Sequence, residues 1–207
     1  MVQTGLNQRL IHLFLNALAC GLDVPSEVIL TGASAGFLMG HVRPSLDIDF
    51  EIRFKGRRSP KAKAKLEEAV ANASKLTGLS AQYSENIGGW SMISYLDYQK
   101  RARPYRQFGK LNVKIMAPEY WTIGKMARFF EMDIRDMIQI IRKKKIKPKP
   151  LIRLWAKALN SSSLSIELGQ FRDHVIYFIR KYGKKIWGGS TDVDQLIVFF
   201  KEQIAVL

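Results

Sequence analysis

The stretch Leu46-Asp47-Ile48-Asp49-Phe50-Glu51-Ile52-Arg53-Phe54 decides how this chain folds. Leu46, Ile48, Phe50, Ile52 and Phe54 alternate without a break with Asp47, Asp49, Glu51 and Arg53. Side chains alternate across a strand, so the pattern predicts a strand with one buried and one polar face. Upstream, Ser26 to Thr31 reads as a short buried strand, and the small residues from Gly32 to Gly40 as a short helix. Downstream, Pro60 suits the first turn of a helix running to about Thr77. Gly88-Gly89 predicts a hairpin between strands over 80–87 and 90–97, and 110–116 reads as a further strand.

From Pro118 onward the pattern is helical. One helix is expected through Phe130 and another from about Asp133 to the Lys147-Pro148-Lys149-Pro150 linker, followed by helices over about 150–159, 163–182 and 191–205. At the other end, Leu6, Leu10, Phe14 and Leu18 recur every four residues, as on one face of an amphipathic helix. That spacing, with Asn16 interrupting the apolar run, argues against a secretory signal. The expected architecture is α+β: a small mixed sheet flanked by helices over 1–116, then a helical bundle over 117–207.

Charge narrows the partners. Among 207 residues, 33 Lys and Arg stand against 18 Asp and Glu, a net +15. Residues 101–150 alone hold 14 of the cations against 4 acids. A field of that sign draws nucleic acid and disfavours cationic substrates such as aminoglycosides. The densest runs are Lys100-Arg101-Ala102-Arg103-Pro104-Tyr105-Arg106 and Arg142-Lys143-Lys144-Lys145-Ile146-Lys147-Pro148-Lys149. With Tyr98, Tyr105 and Phe108 interleaved in the first, they predict phosphate contact with base stacking. One cysteine, Cys20, rules out an internal disulfide and a cysteine-based zinc cluster. No apolar run is long enough to span a membrane, and a cytoplasmic location is expected.

Several chemistries fit poorly. His12, His41 and His174 lack metal-ligand spacing. Gly32-Ala33-Ser34-Ala35-Gly36 has no P-loop ending; it does have the outline of a serine nucleophile elbow, which leaves the acidic pair downstream unexplained. Asp47 and Asp49 point the same way, about 7 Å apart along a strand. Two like charges so placed call for a cation, and magnesium, which shares its oxygen shell with substrate phosphates, is the natural one.

Gly32-Ala33 at a strand-to-helix turn, followed by Asp47-Ile48-Asp49 on a strand, resembles the signature of the polymerase-beta-type nucleotidyltransferase superfamily. Ala117-Pro118-Glu119-Tyr120-Trp121, then Lys125, Arg128, Asp133 and Asp136, is similar to small bacterial nucleotidyltransferases of the AbiEii toxin type. The resemblance implies magnesium on Asp47 and Asp49, and a triphosphate held by Gly32, Ala33 and Ser34 with help from Arg43, Lys125 and Arg128. It further implies Asp133 or Asp136 in the catalytic set, with Asp97 as candidate third carboxylate on the 90–97 strand. Val113 and Ile115 lie on a strand offering only Asn112 and Lys114. The function so implied is transfer of a nucleoside monophosphate from an NTP to a hydroxyl, with RNA such as tRNA as acceptor, possible protein acceptors, and an antitoxin as possible partner. An inactive RNA-binding module of the same fold and a basic protein-interaction module are the alternatives.

Overall fold

The computed structural model describes residues 7–40, 45–55 and 59–204, which form a mixed α+β structure. The chain divides into two units. One runs to Ile87 and adds Gln99–Met116; the other holds Gly88–Tyr98 and everything from Ala117. The division between Met116 and Ala117 is where the sequence reading put it, while Gly88–Tyr98, expected in the first unit, clusters with the helices.

The first unit is a five-stranded sheet among the described residues. Its strands are β1 (Ser26–Thr31), β2 (Asp47–Phe54), β3 (Ser80–Ser84), β4 (Arg103–Phe108) and β5 (Leu111–Ile115), in spatial order β3-β2-β1-β5-β4. β1 runs antiparallel to β2 and parallel to β5. Ile48, Phe50 and Ile52 are fully buried, as the alternation predicts. Phe50 meets Phe14 of α1 (Gln8–Gly21) edge-on at 6.0 Å. The helix α3 (Pro60–Thr77) buries Leu66, Ala69, Val70 and Ala73. It lies so close to α1 that a Cβ at Gly21 would fall 2.5 Å from that of Ala69. α2 (Gly32–Leu38) leads from β1 toward β2.

One expected strand is missing from the sheet and one unforeseen strand joins it. No strand forms over 90–97; Ile87–Trp90 is a 3-10 turn, and the chain bends before the short α4 (Tyr98–Arg101). The hydroxyls of Ser91 and Ser94 accept the N–H groups of Ile93 and Leu96 at 3.0 and 3.1 Å. Such local bonds give the backbone an alternative to a ladder. The basic run over 103–108, by contrast, is a strand. It lies at the sheet edge, where proline and arginine are tolerated because one side of the backbone needs no partner.

The helical unit contains α5 (Pro118–Arg128), α6 (Glu131–Lys143), α7 (Pro148–Asn160), α8 (Ile166–Trp187) and α9 (Val193–Gln203). α7 starts at Pro148, so the expected linker prolines form its first turn, where a missing N–H costs nothing. Trp155 anchors the core: it is fully buried, donates to Thr122 Oγ1 at 2.9 Å and meets the Phe178 ring at right angles. Among the described residues no helix is long and apolar enough to cross a membrane.

Candidate active site

The site builds from the pairing of β1 with β2, which sets Thr31 opposite Asp49. Residues opposite one another project to the same side of a sheet, so the turn after β1 and the Asp49 carboxylate meet. Gly32 has φ +52°, and a Cβ there would fall 1.7 Å from Asp49 Oδ2. Only glycine accepts both the left-handed backbone and the lack of space. Ala33 N–H donates to Asp49 Oδ2 at 3.3 Å, a long bond.

Ser34 departs from its expected role. Its side chain is fully buried, and its hydroxyl donates to Thr31 O at 2.9 Å and to Asp49 O at 3.4 Å. Ser34 thus ties the turn to β2 rather than facing a phosphate. Asp47 is exposed, and its N–H donates to Ser45 Oγ at 3.1 Å. Arg43 and His41 lie outside the described residues.

Glu51 is the residue that sequence reasoning passed over. It shares the polar side of β2 with Asp47 and Asp49 yet is fully buried. Arg53 Nε pairs with it at 2.8 Å, Ile87 N–H donates at 3.1 Å and Gln99 Nε2 donates at 3.1 Å. Ile87 and Gln99 belong to the same unit as Glu51, so this carboxylate holds both of them to β2. The signal was present as the third acid of an alternating Asp-x-Asp-x-Glu pattern. Its burial was not, because burial depends on chain 36 and 48 residues away.

Lys114 of β5 stands opposite Ile29, which in turn stands opposite Glu51, so it shares the sheet face of the acidic pair. It pairs with Glu27 at 2.7 Å. Asp97 is not on a strand; it lies in the segment that clusters with the helical unit, and Tyr120 donates its hydroxyl to it at 3.0 Å. Asp47 and Asp49, on one side of β2, are a donor set that fits magnesium, which takes one or two carboxylates and completes its shell with water and phosphate oxygens.

No protein-family model, curated protein or solved structure matches this chain.

In the helical unit, Lys125 is buried and donates to Asp133 Oδ1 and Asp136 Oδ2, each at 2.7 Å, beneath the ring of Trp121. Arg128, mostly exposed, donates to Asp133 Oδ1 at 2.9 Å. Asp133 is in the first turn of α6, but its carboxylate faces these cations rather than capping the helix, and its Oδ2 is buried with no hydrogen-bond partner. The resemblance assigns Lys125 to a triphosphate and Asp136 to catalysis; here the two neutralise each other inside the helical unit.

The first basic run loses two of its three expected stacking residues, because Tyr98 and Phe108 are buried. Tyr105 is half-buried, with its hydroxyl 2.6 Å from His12 Nε2. Burial and the nearby Arg106 guanidinium hold the His12 imidazole below its ordinary pKa. What β4 presents outward is charge: Arg103 and Arg106 are exposed.

Proposed function

We propose that this chain is a nucleotidyltransferase that moves a nucleoside monophosphate from a nucleoside triphosphate to a hydroxyl on RNA, with tRNA as the leading acceptor. The observation that carries this reading is the contact of the Gly32 turn with Asp49. It brings backbone donors suited to phosphate and a carboxylate suited to magnesium to one point.

Asp47 and Asp49 would hold the metal, which when bound offsets phosphate charge and polarises the α-phosphate. On turning to a cation, Asp49 would give up its 3.3 Å bond to the Ala33 N–H. The Ala33 N–H, released, is then a donor for a phosphate oxygen. Glu51 holds Ile87 and Gln99 to β2. In the transfer, the acceptor hydroxyl oxygen bonds to the α-phosphorus and the bond to the bridging oxygen breaks. Pyrophosphate leaves, and the hydroxyl proton passes to solvent. Asp97 and Asp136 are occupied by Tyr120 and Lys125, so neither is assigned that proton.

One observation favours a second reading, an inactive module that binds RNA: on the sheet face of the acidic pair β5 carries Asn112 and the cation Lys114 rather than a third carboxylate. The two readings separate in one experiment. Protein, magnesium and total tRNA are incubated with each α-labelled NTP in turn, beside Asp49→Asn. Nucleotidyl transfer requires label on RNA with the parent protein and a loss of about 100-fold or more in the variant. Label on the protein itself would move the acceptor to protein hydroxyls. No label, with tRNA still retarded on a native gel, would establish the inactive module.

A further inference from the structure

We infer that the helical unit binds RNA by its phosphate backbone on a lysine cluster formed where the ends of α6 and α8 meet. Lys143, Lys144, Lys145 and Lys147 lie at the end of α6 and in the turn to α7, and Lys184 and Lys185 lie in the last turn of α8. In sequence the groups are about 40 residues apart; in the fold, Trp187 Nε1 donates to Ile146 O at 3.0 Å and fixes the end of α8 beside the turn. All six lysines are exposed.

No acid interrupts the cluster from within. The chain has no acidic residue between Asp136 and Glu167, nor between Asp173 and Asp192. Asp192 and Asp194 begin α9, where Val193 packs on Gly183 of α8; even against both, four cations remain in excess. Helix dipoles do not account for that excess. Each helix C-terminus carries about half a negative charge, so two ends answer about one cation.

The composition of the patch selects the partner. Protein interfaces centre on aromatic and aliphatic side chains and are depleted in lysine. From Ala117 on, the exposed large apolar residues among those described are Phe130, Met132, Leu164, Ile166, Tyr177 and Val198, none of them in the α6–α7 turn or the last turn of α8. Lysines without an apolar centre suit a phosphate backbone, where each contact releases a counterion. The backbone points the same way. The turn closes with Ile146 N–H donating to Ile141 O and Lys145 N–H donating to Arg142 O, at 3.0 and 3.1 Å. Lys145 takes φ +52° at the position where helices usually place glycine. A cation stands where backbone geometry favours a residue without one.

That RNA held here is the acceptor rests on the transfer reading; that it is held here does not. The test is therefore binding of a short fluorescein-labelled RNA hairpin, without NTP or magnesium, across a range of salt concentrations. Lys184→Ala/Lys185→Ala is expected to weaken binding about tenfold and to flatten the plot of log affinity against log salt by about two, one for each lost phosphate contact. Lys145→Gly, which suits the left-handed turn and so keeps the fold, is expected to weaken binding and flatten the slope by about one. Unchanged affinity and slope in both variants would overturn the inference. So would competition by polyglutamate as effective as by unlabelled RNA, which would assign the patch to an acidic protein. Absence of nucleotidyl transfer with this binding intact would overturn only the transfer reading.

Discussion

Gly32 carries the tightest constraint in the sheet unit, and it is legible at the scale of one residue. Adding a methyl group there meets both a φ of +52° and the Asp49 carboxylate at 1.7 Å. Gly32→Ala is expected to cost about 2 kcal/mol or more in urea unfolding, from left-handed strain and overpacking together. Gly169→Ala gives the comparison, since Gly169 is helical, has no left-handed φ and leaves open space for a Cβ. Equal losses in the two would show that strain at the turn is not what matters. The glycine and the aspartates could be picked out from sequence because their spacing is local. Ser34 could not: its hydroxyl is used up by Thr31 and Asp49 only once β1 and β2 pair.

At the scale of elements, the connection of α5 to α6 depends on Lys125. Its ammonium bonds the carboxylates of Asp133 and Asp136 out of water, and removing it strips both buried charges of that cation while Asp133 keeps Arg128. Lys125→Met is expected to destabilise the protein by about 3–5 kcal/mol in urea unfolding. Arg128→Ala, removing a mostly exposed guanidinium, should cost no more than about 1 kcal/mol. A Lys125→Met variant as stable as the parent would show that the lysine is kept for a ligand. The helices themselves were readable from periodicity and prolines, within a few residues at their ends. The segment from Gly88 to Tyr98 was not, since its serine-bonded turns arise from contacts that a glycine pair does not announce.

For the whole molecule the governing quantity is a net charge of +15. Like charges at this density repel within the compact state, and salt screens them over a Debye length of about 10 Å at 0.1 M. Raising sodium chloride from about 0.05 to 0.5 M is therefore expected to raise the midpoint of thermal unfolding by a few degrees, read by differential scanning fluorimetry. A midpoint that falls would mean that the ion pairs, such as Lys114 with Glu27 and Arg53 with Glu51, outweigh the repulsion.

The sequence by itself determined the α+β class, the strand bearing Asp47 and Asp49, the glycine turn and the helical second half. Each of these follows from patterns that repeat within a few residues, where chain geometry alone fixes which side chains share a face. Tertiary structure alone decided that Glu51 and Lys125 are buried among partners, that Tyr98 and Phe108 face inward, and that the lysines of α8 join those after α6. Burial and charge clustering depend on segments distant in the chain, and no local pattern specifies which distant segment will arrive.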